Sequence, residues 1–126
     1  FSAGSKPAGK VHPQSLKLLS GLNFPTKDLR SKSWDEFGGD TAPVMDAVIT
    51  VCGSAAGETC PFWAGAPIRV HWGVEDPAAA AEADWEDAFQ TAYDKLHTRA
   101  QALFALPFED MDRAALTKEL SRIGTL

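Results

Sequence analysis

Nine residues, Val44 to Cys52 (VMDAVITVC), have the β-branched and apolar density of a buried strand. A second run, Ala66 to Trp72 (APIRVHW), alternates enough to form a neighbouring strand. From Trp85 the period changes. Ala88, Phe89, Ala92, Leu96, Ala100, Leu103 and Phe104 recur at helical spacing, which predicts an amphipathic helix of about twenty residues that stops before Pro107. Strands followed by helices predict an α/β sandwich with a parallel sheet, although two strands are too few to close one.

Two shorter helices complete the pattern. Pro13 fits a first helical turn, with Leu16, Leu19 and Leu22 on one face and Gly21 near the end. Asp112 fits an N-cap for a last helix running through Leu116, Leu120 and Ile123 to Gly124. At 126 residues, 44% apolar and 23% charged, residues 1–126 are expected to form one domain with a packed core. No internal repeat interrupts it.

Several function classes are disfavoured. A net charge of −5 argues against nucleic acid as a partner. No apolar run approaches the roughly 20 residues that span a bilayer, and Phe1 to Lys10 lacks the apolar centre of a secretory signal, so no membrane role is expected. Two cysteines do not make a disulfide scaffold, which points to the cytoplasm. The charge is uneven. Residues 1–34 carry six bases and one acid, while residues 35–126 carry six bases and sixteen acids, so the first part can either attract an anion or form a solvated basic face.

Gly4 to Lys10 (GSKPAGK) matches the start of a phosphate-binding loop, but Val11 stands where magnesium needs Ser or Thr, and Pro7 removes an N–H from the cradle. His12, His71, His97, Cys52 and Cys60 show no metal-ligand spacing, so no metal is expected, and His97 fits the polar side of the long helix. Cys52 ends the first strand, and Cys60 follows a seven-residue loop, Gly53 to Thr59, rich in small side chains. Such a loop can bring two Cα atoms within the ~7 Å a disulfide requires. The same residues also fit one buried inert thiol and one incidental one. Asp76 lies just beyond the second strand, before Pro77, at the strand end where open α/β sheets place ligands. It can serve as a general acid or simply cap the turn.

Taken in order, Ser2-Ala-Gly-Ser-Lys-Pro, Val11-His-Pro, Arg30-Ser-Lys-Ser-Trp-Asp-Glu-Phe37, Val48-Ile-Thr-Val-Cys52, Ala55-Ala-Gly-Glu58, Cys60-Pro61, His71-Trp-Gly73 and Asp76-Pro-Ala78 resemble the arsenate reductases of the low-molecular-weight protein tyrosine phosphatase family. Leu106-Pro107 and Asp112-Arg-Ala-Ala-Leu116 are similar to its bacterial branch. Ser54 and Ala64 depart from residues common there, Asn and Pro.

The resemblance implies a three-layer α/β sandwich whose four-stranded parallel sheet has Phe1 to Ser5 as its second strand and the two apolar runs as its third and fourth. The family's first strand, which lies centrally, and the Cys-x5-Arg loop after it have no counterpart in this sequence. By resemblance the absent Cys attacks arsenate, Asp76 is the general acid, and Cys52 and Cys60 are the resolving thiols. No cofactor is expected to be bound. The electrons would come from an external thiol donor, which can be thioredoxin, glutathione with glutaredoxin, or mycothiol. A chain without the nucleophile loop is expected to be inactive by itself and, with unpaired strand edges, unstable or self-associating. A tyrosine phosphatase and a non-catalytic remnant that binds an oxyanion or a partner stand as alternatives.

Overall fold

The computed structural model describes residues 1–52, 63 and 65–126. Helix α1, Pro13–Gly21, starts where Pro13 predicts, and its N-cap is His12, whose Nδ1 accepts from Gln14 N at 3.0 Å. The same imidazole lies 4.6 Å from the Trp85 ring and 4.7 Å from Phe89, so the cap also joins α1 to the long helix. Gly21 is the last helical residue, as expected, and the left-handed position that closes the helix is Asn23, at φ 64°. Asn23 N donates to Ser20 O and Phe24 N to Leu19 O, both at 3.0 Å, the paired bonds of a Schellman ending.

Strands β1, Ala47–Thr50, and β2, Ile68–His71, pair in parallel, with Ala47 opposite Ile68 and Thr50 opposite His71. Both are shorter than their apolar runs. Val44 is 71% exposed, and no residue of β1 is fully buried. A run of strand-forming residues becomes a strand only as far as a partner runs beside it, and among the described residues β1 has only β2. Entry to β2 uses positive φ at Gly65 (87°) and Ala66 (46°). A Cβ on Gly65 would stand 2.5 Å from Val44 Cγ1.

Helices α2, Trp85–Phe104, and α3, Arg113–Ile123, cover one face of this sheet. Ile68, Trp72, Leu120 and Ile123 form the buried centre, with Ala47, Ile49, Val70, Leu103 and Leu116 packed around it. The Trp72 indole N–H donates to Leu120 O at 2.8 Å. Asp112 caps α3, its Oδ1 accepting from Ala115 N at 2.7 Å. Phe104 departs from the expected apolar stripe: it is 75% exposed at the last turn of α2, where its neighbour Leu103 packs against the core instead.

The expected strand at Phe1 to Ser5 does not form. Gly4 makes an isolated parallel bridge to Ser33, with Gly4 N donating to Lys32 O and Trp34 N to Gly4 O, both at 3.0 Å. Its only ladder partner among the described residues therefore lies away from β1. Between this segment and β1 runs a cleft of about 300 Å³, bordered by Trp34, Phe37 and Trp63. The adjacent 3₁₀ turn, Trp34–Phe37, is braced by Arg30, which donates to Glu36 at 2.7 and 3.0 Å. The hydrogen bond from Arg30 holds the Glu36 carboxyl below its ordinary range. That exposed pair contributes above the ordinary glutamate pKa, and its contribution is lost as pH falls through the lowered one.

The α/β class and the parallel pairing agree with the expected sandwich. Two glycines test the packing. A Cβ on Gly124 would stand 2.7 Å from Trp72 Cδ1 and 3.0 Å from His71 O, whereas one on Gly21 meets nothing within 4 Å. Gly124→Ala is expected to lower stability by ~1–3 kcal/mol through overpacking. Gly21→Ala should raise it by ~0.4–1 kcal/mol through the unfolded chain. Urea denaturation of the two variants beside the parent checks both signs.

Candidate functional site

The ladder changes step at the C-terminal ends of the strands. Trp72 N donates to Thr50 O at 2.7 Å, and Val74 N to Val51 O at 2.8 Å, so β2 advances two residues while β1 advances one. A regular parallel ladder would continue to Cys52. Cys52 stands just beyond this change of register, where the loop after β2 leaves towards Asp76. Both residues line one pocket of about 300 Å³, closed by Leu18 and Leu19 of α1 and by Phe89 and Leu96 of α2. Two of the three candidate residues are thus brought to one cavity. The third, Cys60, lies outside the described residues.

Asp76 caps the 3₁₀ turn Pro77–Ala79, its Oδ1 accepting from Ala78 N at 2.9 Å. The capping reading of this residue is therefore correct. It does not exclude acid chemistry, because one oxygen takes the backbone bond and Oδ2 has no hydrogen bond or ion pair among the described residues. The carboxyl is exposed and lies at the pocket rim. Cys52 is half-buried there.

Apolar side chains dominate the pocket wall, and neither Arg nor Lys lines it among the described residues. Glu75 adds a second carboxylate to the rim. A thiol and a carboxyl in such a setting can exchange sulfur bonds and move a proton, but they offer an oxyanion no cation.

The histidines are kept apart. His12 caps α1, and His97 stacks on Tyr93 at 5.4 Å on the exposed side of α2. His71 Nδ1 lies 2.7 Å from Thr50 Oγ1, directly across the ladder. No group of three His, Cys, Asp or Glu side chains that could hold a metal occurs among the described residues. The Gly4–Lys10 segment does not run into a helix, as a phosphate-binding loop would. Gly9 N donates instead to Ser31 Oγ at 3.1 Å, and the His12 side chain already occupies the start of α1. Among the described residues, no helix is long and apolar enough to cross a membrane.

One residue of this region escaped the sequence reading. Arg99 is 3% exposed and donates to Gly73 O at 3.2 Å and to Leu126 O at 3.1 and 3.3 Å. The available signal was its place on the apolar face, following Phe89, Ala92 and Leu96 at helical spacing.

Comparison with known proteins agrees with this geometry. The family profile described as low molecular weight phosphotyrosine protein phosphatase matches residues 1–122. An arsenate reductase of Halalkalibacterium halodurans is 34% identical over 86 residues, which are 68% of this chain and 58% of that protein. Arsenate reductases of Oceanobacillus iheyensis and Bacillus subtilis are 32% and 31% identical over 101 residues, 79% of this chain and 69% of each relative. A profile match over nearly the whole length, on an α/β frame with a parallel pair, places the chain in the low-molecular-weight phosphotyrosine protein phosphatase family.

Proposed function

We propose that the chain serves arsenate reduction, with Asp76 as general acid and Cys52 and Cys60 as the thiols that close the redox cycle. The observation that carries this reading is the pocket at the strand ends that Cys52 and Asp76 share. The names of the three relatives described above, arsenate reductases, suggest the substrate. In this reading the oxyanion-binding Cys-x5-Arg comes from outside the 126 residues, because their sequence contains no such spacing.

The chemistry balances with three thiols. A nucleophilic thiolate forms a sulfur–arsenic bond while an arsenate oxygen leaves, protonated by Asp76. The Cys52 thiolate then attacks that sulfur, the sulfur–arsenic bond breaks, and its electron pair departs on arsenic, reducing As(V) to As(III). Cys60 next attacks the Cys52 sulfur, releasing the first thiolate and leaving a Cys52–Cys60 disulfide. Two electrons have moved to arsenic. An external thiol donor, whether thioredoxin, glutathione with glutaredoxin, or mycothiol, returns them, and no bound cofactor is required. A cycle that depends on reduced thiols belongs in the cytoplasm.

The family's own description favours one second reading, hydrolysis of phosphotyrosine. There Asp76 would protonate the phenol, and Cys52 and Cys60 would have no role.

Two substitutions separate these readings, each made in the protein together with its nucleophile segment. Asp76→Asn should lower arsenite release about 10²–10⁴-fold while arsenate binding stays near the parent's. Equal turnover in steady-state assays would refute the acid role. Cys60→Ser should release one arsenite per enzyme and then stop with a mixed disulfide, visible in a rapid-quench burst. Unaltered multiple turnover would remove Cys60 from the cycle, and undiminished aryl phosphate hydrolysis without arsenite release would favour the phosphatase.

A further inference from the structure

We infer that Arg99 is a positioning residue for Asp76: its buried guanidinium fixes the peptide unit from which the Asp76 loop departs. The inference rests on the acid role proposed above for Asp76. Among the described residues, Arg99 is the buried charged side chain, and its three hydrogen bonds go to Gly73 O and Leu126 O. The bond to Gly73 O gives it a hold on the loop after β2.

That geometry is specific. The peptide joining Gly73 to Val74 is held at both polar ends. Val74 N donates to Val51 O at 2.8 Å, and Gly73 O accepts from Arg99 Nη1 at 3.2 Å. One side of this unit is therefore tied to the residue before Cys52, and the other to α2. Glycine is the residue that needs such fixing most, because it loses the most backbone freedom on ordering. Asp76 follows two residues beyond Val74, so a rotation of the held peptide would move its carboxyl relative to Cys52.

Arg99 is itself aimed from the far side. Its Nε and Nη2 reach Leu126 O, and Leu126 N donates to Ile123 O at 3.0 Å, with Ile123 fully buried. The planar fork can hold carbonyls on two sides at once, whereas a lysine ammonium has neither the reach nor the fixed directions. The turn after α3 is thereby tied, through one guanidinium, to the loop that carries Asp76.

The test uses Arg99→Met and Arg99→Lys, alone and combined with Asp76→Asn, with two readouts. The first is amide hydrogen exchange, which needs no turnover. Val74 N–H should exchange about tenfold faster or more in Arg99→Met, while amides in the middle of α2 keep their protection. The second is arsenite release by the protein with its nucleophile segment. Arg99→Met should lower kcat about 10–100-fold with KM for arsenate within about twofold, and Arg99→Lys should fall between. The decisive comparison is the double variant. If Arg99 acts through Asp76, Arg99→Met costs little further rate once Asp76 is Asn; an equal loss in both backgrounds overturns the positioning role. Unchanged exchange at Val74 overturns it as well. Should Arg99→Met fail to fold, the same comparisons are made with Arg99→Lys. If Asp76→Asn is as fast as the parent, the acid assignment has failed without reference to Arg99. A slow Asp76→Asn beside a fully active Arg99→Met refutes the positioning role alone.

Discussion

The bond from the Trp72 indole to Leu120 O decides how the C-terminal third of the chain meets the sheet. Trp72 follows β2 directly and is 5% exposed, so its N–H must find an acceptor inside the protein or cost ~1–3 kcal/mol. The acceptor is a carbonyl in the last turn of α3 that also receives Gly124 N at 3.2 Å. Gly124 permits the approach, because any Cβ there would enter the indole. With α3 locked to Trp72, Ile123 enters the core, and the turn to Leu126 comes within reach of Arg99. The loop beyond Trp72 thus begins from a fixed point.

Much of this frame was legible locally. Pro13, Asp112 and the 3.6-residue stripe after Trp85 act within one or two turns of themselves, and all three helices form where those signals stand. Non-local choices were not legible. Val44 reads as strand but is exposed, because pairing depends on a partner that no local pattern names. Phe1 to Ser5 likewise carries a strand expectation by resemblance, yet Gly4 pairs with Ser33. Gly21 stands at the end of α1 as expected, and Asn23 closes the helix beyond it because a short amide side chain also tolerates the left-handed conformation.

The site divides in the same way. Asp76 before Pro77 announces a capped turn, and the cap is present. The same placement leaves its second oxygen without a hydrogen-bond partner among the described residues, so capping and the proposed acid chemistry do not compete for this residue. That Cys52 would border the same pocket depended on the Val74–Val51 bond, a register change no spacing reveals. Arg99 was less readable still. An arginine at the end of an apolar stripe looks like the point where a helix returns to solvent, and only acceptors distant in sequence, Gly73 O and Leu126 O, make its burial tolerable.

Among the described residues neither Arg nor Lys lines the pocket, which bears on how the proposed site divides its work. A general acid must carry a proton until the leaving oxygen takes it, and a nearby guanidinium would favour the ionised carboxylate. An oxyanion needs that same guanidinium. In the proposed reaction, Asp76 at the rim and Cys52 in the pocket stand apart from Arg99, whose guanidinium is bound to Gly73 O and Leu126 O, so the two demands are separated. The positive charge that such a reaction needs would then come from an element other than the described lining of this pocket. The proposed proton transfer would depend on how that element meets a loop whose first peptide unit is already fixed at both ends.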